Sequence, residues 1–172
     1  EPICVNSSVN SIGATGGWWS VRTSWAGRCN HRADARSFGD TVTDLDELVR
    51  TVPRRALVLV DVQNEYVHLP LRIRHPRLSD CLYRIERALD AAADAGSPVG
   101  CVQHAGRPGG PVFDPGGRGF ELCPRIEGRC APGWKRVVKR HGSIYAGTGL
   151  EPWLRERGVD TVTLVGFMAN NC

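Results

Sequence analysis

Three side chains able to do covalent chemistry stand where apolar runs stop: Asp61 after residues 56–60, Lys139 after Val137 and Val138, and Cys172 shortly beyond residues 161–165. A thiol, a carboxylate and an ammonium gathered at one place would be the parts of nucleophilic cysteine catalysis. The neutral thiol is a poor nucleophile, a carboxylate can take its proton, and an ammonium favours the ionised form of both. Taken singly the three types say little. An Asp ending a strand is commonly a turn or cap residue, a Cys after a buried strand a small core hydrophobe, and a Lys there a solvated charge. Lysine is scarce, however: only Lys135 and Lys139 stand among the 22 basic residues, so a lysine at such a position is less a matter of chance.

The elements that would position these groups can be read from the pattern. Residues 56–60 (Ala-Leu-Val-Leu-Val) are an uninterrupted apolar run, the mark of a strand covered on both faces of a parallel sheet. Ser79 is expected to cap a helix running to about residue 95, with Leu82, Ile85, Leu89 and Ala92 on one face and Gly96 closing it. Residues 98–103 predict a second strand, 136–138 a short third, and 161–165 a fourth; a helix over 150–157 has Thr148 as its cap and Gly158 as its stop. The Gly- and Pro-rich stretch 104–133 reads as a long loop over the strand ends, where α/β enzymes commonly build sites. This alternation predicts an α/β fold: three layers, α/β/α, around a parallel, Rossmann-like sheet with active groups at the carboxyl ends of its strands.

Composition narrows the class. With 172 residues, 41% of them hydrophobic, one domain with a real core is expected, over residues 51–172. Residues 1–50 show no sustained period and are expected to form a poorly ordered N-terminal extension, their one helical hint being 44–50 behind Thr43. The net charge of +4 is spread along the chain, which gives no reason to expect a nucleic-acid partner. Seven cysteines without a C-x-x-C pair fit neither a disulfide framework nor a zinc knuckle, and point to a reducing cytoplasm. Neither a membrane span nor a signal peptide is visible. No G-x-G-x-x-G or Walker-type loop follows the first strand, which argues against a generic nucleotide-binding domain.

Three segments then carry a specific resemblance: Leu57-Val-Leu-Val-Asp-Val-Gln-Asn-Glu-Tyr66, Val137-Val-Lys-Arg-His-Gly-Ser-Ile-Tyr-Ala-Gly-Thr-Gly-Leu150 and Leu164-Val-Gly-Phe-Met-Ala-Asn-Asn-Cys172. In this order, and with Gly119-Phe-Glu-Leu122 between the first two, they resemble the signatures of the isochorismatase-like cysteine hydrolase superfamily, which includes nicotinamidase-related amidohydrolases. The resemblance covers roughly residues 55–172. It implies a catalytic triad: Cys172 as nucleophile toward a carboxamide carbon, Asp61 as general base, Lys139 as electrostatic partner, and a thioester intermediate opened by water. It further implies an oxyanion hole from the N–H groups of Met168 and Cys172, beside a cis peptide between Phe167 and Met168. Gln63, Tyr66 and His104 are candidates to contact a small-molecule substrate. No cofactor is implied. Some nicotinamidase-like members bind a metal through an Asp and several His residues near this point, and Gln103-His-Ala-Gly-Arg107 lacks that pattern, so no metal is expected.

Family members continue past this cysteine into a helix and a further strand, and the expectation drawn from that difference is a domain incomplete at its C-terminus. An α-carboxylate on Cys172 would disfavour its thiolate, giving a weakly active or inactive form, and an uncovered sheet edge would invite homo-oligomers. The competing reading is a non-catalytic α/β domain that still binds a small molecule.

Overall fold

In the computed structural model, which describes residues 8–11, 22–23, 54–68 and 70–168, the chain begins with two short strands, β1 (Ser8–Ser11) and β2 (Arg22–Thr23). The apolar run becomes β3 (Arg55–Val60), buried at every position after Arg55. Successive side chains of a strand point to opposite faces, and the burial of β3 obeys this. Leu57 and Leu59 join one core cluster, while Ala56, Val58 and Val60 join another on the far side of the sheet. A strand with two apolar faces needs a layer on each, and two helices supply them.

The first is α1 (Leu78–Asp94), which buries Cys81, Leu82, Ile85, Leu89 and Ala92. Burying each of its Leu and Ile side chains contributes roughly 1.5–3 kcal/mol. The helix begins one residue before the Ser expected to cap it: Arg77 is the N-cap, and the Ser79 hydroxyl donates to Asp80 instead. It closes as predicted at Gly96, where the Gly96 and Ser97 N–H groups donate to the carbonyls of Ala93 and Ala92 in the paired pattern of a glycine stop. β4 (Val99–His104) follows. The long loop then holds one short helix, α2 (Pro124–Glu127), which the sequence pattern did not reveal, before β5 (Lys135–Lys139). Helix α3 (Leu150–Glu156) covers the second face with Trp153 and Leu154; its N-cap is Gly149, though the Thr148 hydroxyl oxygen still accepts the Leu150 N–H at 3.4 Å. The last element among the described residues is β6 (Thr161–Gly166).

The sheet order is β2-β1-β6-β3-β4-β5, with β6, β3, β4 and β5 mutually parallel. The expected three-layer α/β/α arrangement is therefore present. The edge of β6 is not open as expected: β1 pairs with it antiparallel, Val9 opposite Thr163. Apart from β1 and β2, the first 50 residues, including the helical hint at 44–50, lie outside the described residues. No helix among the described residues is long and apolar enough to cross a membrane.

Candidate active site

β3, β5 and β6 all run in one direction, so their carboxyl ends share one edge of the sheet. Asp61 is the first residue past β3, held by its N–H to the Val102 carbonyl at 2.9 Å, and it takes a left-handed backbone with φ of 54°. Asp tolerates that conformation better than most residues, but it is a local strain of the kind found at functional positions. Lys139 is the last residue of β5. Its Nζ lies 2.9 Å from Asp61 Oδ2, and both side chains are fully enclosed. A lysine and an aspartate at zero exposure would each be costly alone; as a pair each offsets the other's desolvation. Asp61 Oδ1 has no hydrogen-bond partner among the described residues, an uncommon state for a buried carboxylate and one that leaves an acceptor for a proton.

Lys139 Nζ also reaches the His141 carbonyl at 3.3 Å and His104 Nδ1 at 3.5 Å. An ammonium has only donors, so Nδ1 serves as the acceptor and the imidazole proton sits on Nε2. The electrostatics agree: burial, reinforced by the positive charge of Lys139, lowers the His104 pKa from its ordinary value against the opposing pull of Asp61. His104 is thus a neutral ring presenting Nε2–H beside the ion pair.

The other two residues expected to touch substrate, Gln63 and Tyr66, are both buried. Gln63 is completely buried, and its carboxamide is engaged at both ends: Nε2 donates to the carbonyls of His104 and Phe120, and Oε1 accepts the His104 N–H at 2.8 Å. It fastens the end of β4 and the long loop to the end of β3. Asn64 continues the seam by donating to the Arg118 carbonyl, and main-chain bonds from Asn64 and Glu65 to Glu121 and Gly119 complete it. Tyr66 is buried against Phe113 and Phe167 at ring separations of 5.3 and 5.7 Å. Phe113, 47 positions from Tyr66 in sequence, had no signal in the sequence beyond lying in the long loop.

β6 ends at Gly166, where a Cβ would stand 1.9 Å from the Val60 carbonyl oxygen and φ is 147°, so only glycine fits there. The Phe167–Met168 peptide is cis, as the resemblance implies. Met168 packs partly buried against the core; Cys172 lies outside the described residues, so its distance to Asp61 and Lys139 is not part of the geometry. Of the described cysteines, burial pushes the Cys101 thiol up to about 12 and also raises Cys130, which makes both poor nucleophiles at neutral pH. Cys81 and Cys123 are buried. Two surface grooves, of about 700 and 590 Å³, lie along the start of α1 and contain none of the site residues.

An aspartate and a lysine enclosed at the ends of parallel strands, with the third signature following the end of β6, is a definite arrangement. Residues 55–172 match the isochorismatase domain family. The chain belongs to the isochorismatase family. A secreted isochorismatase effector, Isc1, of the fungus Verticillium dahliae is 30% identical over 116 residues, covering 67% of this chain and 59% of that protein. An isochorismatase-family structure from Burkholderia xenovorans LB400 is 44% identical with a TM-score of 0.67, covering 71% of this chain and 58% of that one. The N-carbamoylsarcosine amidase of Thermoplasma acidophilum is 29% identical with a TM-score of 0.62, covering 69% and 70%. This isochorismatase-family chain thus spans under two thirds of the length of the first two relatives.

Proposed function

We propose that the chain carries the catalytic core of a cysteine-dependent hydrolase of a small-molecule amide or other C–N bond. The observation that carries the reading is the enclosed Asp61–Lys139 pair, whose carboxylate keeps one oxygen without a partner among the described residues. On this reading Asp61 takes the Cys172 thiol proton, and the thiolate adds to the amide carbon. The oxyanion is met by the N–H groups of Met168 and Cys172, and the positive charge of Lys139 lies close to the reacting groups. The C–N bond then breaks, the departing nitrogen collects the proton held by Asp61, and a thioester remains. Water, deprotonated by Asp61, opens the thioester and returns the thiolate. His104 offers its Nε2–H to the substrate carbonyl or its nearby polar groups.

The amidase among the relatives supports the choice of a C–N bond, and the carbamoyl and nicotinamidase-like classes are the first substrates to try. The partner on this reading is a small molecule, without nucleic acid or membrane. The thiols of Cys101, Cys123 and Cys130 are free, which suits a reducing compartment such as the cytoplasm, although the Verticillium relative is by its name secreted.

Alkylation with iodoacetamide across pH, read residue by residue by mass spectrometry, together with ammonia release from a panel of amides, tests the proposal. Cys172 is expected to label ahead of the other six cysteines near neutral pH, and Cys172→Ala to abolish ammonia release. Unselective labelling, or a Cys172→Ala protein as active as its parent, would overturn it.

A further inference from the structure

Glu65 is a nearly fully buried carboxylate that the proposed chemistry does not use. Its Oε1 has no partner among the described residues, while its Oε2 accepts a hydrogen bond from the Phe113 N–H at 2.9 Å. Phe113 is an unusual residue to hold. It takes a left-handed backbone with φ of 52°, which an aromatic residue adopts only when its surroundings impose it. The imposition comes from both sides, because its carbonyl accepts the Gly106 N–H at 2.8 Å while its N–H goes to Glu65. Gly106 permits this approach: a Cβ there would stand 2.4 Å from the Val112 carbonyl oxygen. Held so, the Phe113 ring meets Tyr66 and stands edge-on to the His104 ring, 5.2 Å away at 88°. An edge-on pair at that distance fixes the orientation of the imidazole as well as covering it.

We infer that Glu65 is a positioning residue that acts through Phe113 on His104, holding the imidazole with Nδ1 toward Lys139 and Nε2–H toward the substrate space. The substrate side of this inference rests on the function proposed above; the linkage from Glu65 to His104 rests on the hydrogen bond and the ring contact alone. A carboxylate is not required for the bond itself, since an amide oxygen accepts the same N–H without a charge to bury. That asymmetry separates a positioning role from a general structural one. The charged groups acting on His104 are Lys139 at the end of β5 and Asp61 at the end of β3, and neither is altered by a change at Glu65.

The test is histidine-ring NMR on the whole chain labelled with 15N histidine, with His104 assigned by its loss in His104→Gln. In the parent, His104 is expected as the Nε2–H tautomer, titrating below the ordinary histidine value. Glu65→Ala releases Phe113, admits water to the ring, and should raise the His104 titration toward the ordinary value and mix the tautomers. Glu65→Gln should keep both as in the parent. If Glu65→Ala does not fold, Phe113→Leu, which keeps apolar bulk but loses the ring edge, carries the test with the same expected shift. In the ammonia assay the released variants should raise KM by about 3- to 10-fold, the factor one misdirected hydrogen bond commands, with kcat changed less. An unchanged His104 titration in both Glu65→Ala and Phe113→Leu overturns the inference, as does Glu65→Gln behaving like Glu65→Ala. Should no variant, parent included, release ammonia, the functional reading fails while the NMR titration still decides the linkage.

Discussion

Lys139 and Asp61 have no exposed surface, so the burial of each depends on the other as its partner. Removing one partner of such a pair leaves an enclosed charge uncompensated, a loss of roughly 3–5 kcal/mol, whereas replacing both by apolar or neutral groups of similar shape is close to neutral. We therefore expect Asp61→Asn and Lys139→Met each to be strongly destabilised in urea denaturation. The double variant should recover most of that loss. Activity should behave differently: Asp61→Asn cannot take a proton, so kcat/KM is expected to fall by about 10²–10⁴-fold, and the double variant should stay as inactive as the single one. Recovery of activity along with stability would mean that the pair is structural alone. The same scale bears on Gln63, whose main-chain partners no local signal announces. A glutamine just past a strand looks like a pocket residue, and here both its Nε2 donors and its Oε1 meet the main chain of His104 and Phe120.

At the scale of elements, the first signature forms a seam. Three consecutive side chains, those of Gln63, Asn64 and Glu65, reach Phe120, Arg118 and Phe113 in turn, tying a Gly- and Pro-rich loop to the ends of β3 and β4. The loop is tied at its other end by ion pairs of Arg125 with Glu86 and of Arg129 with Asp90, both on α1, and of Arg136 with Glu127. Exposed pairs of this kind contribute about 0–1 kcal/mol each, so the buried amide bonds dominate. Gln63→Ala should cost about 1–3 kcal/mol, because it leaves carbonyl and N–H groups of the main chain without partners. It should also speed amide hydrogen exchange across residues 113–121 more than across α1. Equal exchange in loop and helix would show that the seam does not hold the loop.

For the whole molecule, the two core clusters on either side of β3 supply the stability that pays for an enclosed ion pair, and pH acts on that stability through His104. Its pKa is lowered in the folded state, chiefly by burial, relative to an ordinary value of 6.5. Between those two values the unfolded chain binds more protons than the folded one, so stability rises with pH across that window and the penalty is gone above the ordinary value. Urea denaturation between pH 5 and 8 should show this slope, and His104→Gln should remove its share. A parent whose stability falls over that range would contradict the assignment.

The sequence by itself determined the four parallel strands, the helix faces, the two glycine stops and the family, because apolar period, glycine punctuation and ordered motifs are local signals. It also placed Asp61 and Lys139 at strand ends, which is where a parallel sheet gathers chemistry. Which polar side chains would be consumed by the main chain was beyond it. The roles of Gln63 and Glu65 depend on a loop lying 48 to 57 residues away, and the left-handed Phe113 leaves no mark in composition. Such pairings are long-range choices among many available acceptors, made only when the packed sheet brings the loop to them; the start of α1 at Leu78 and the pairing of β1 with β6 were decided in the same way.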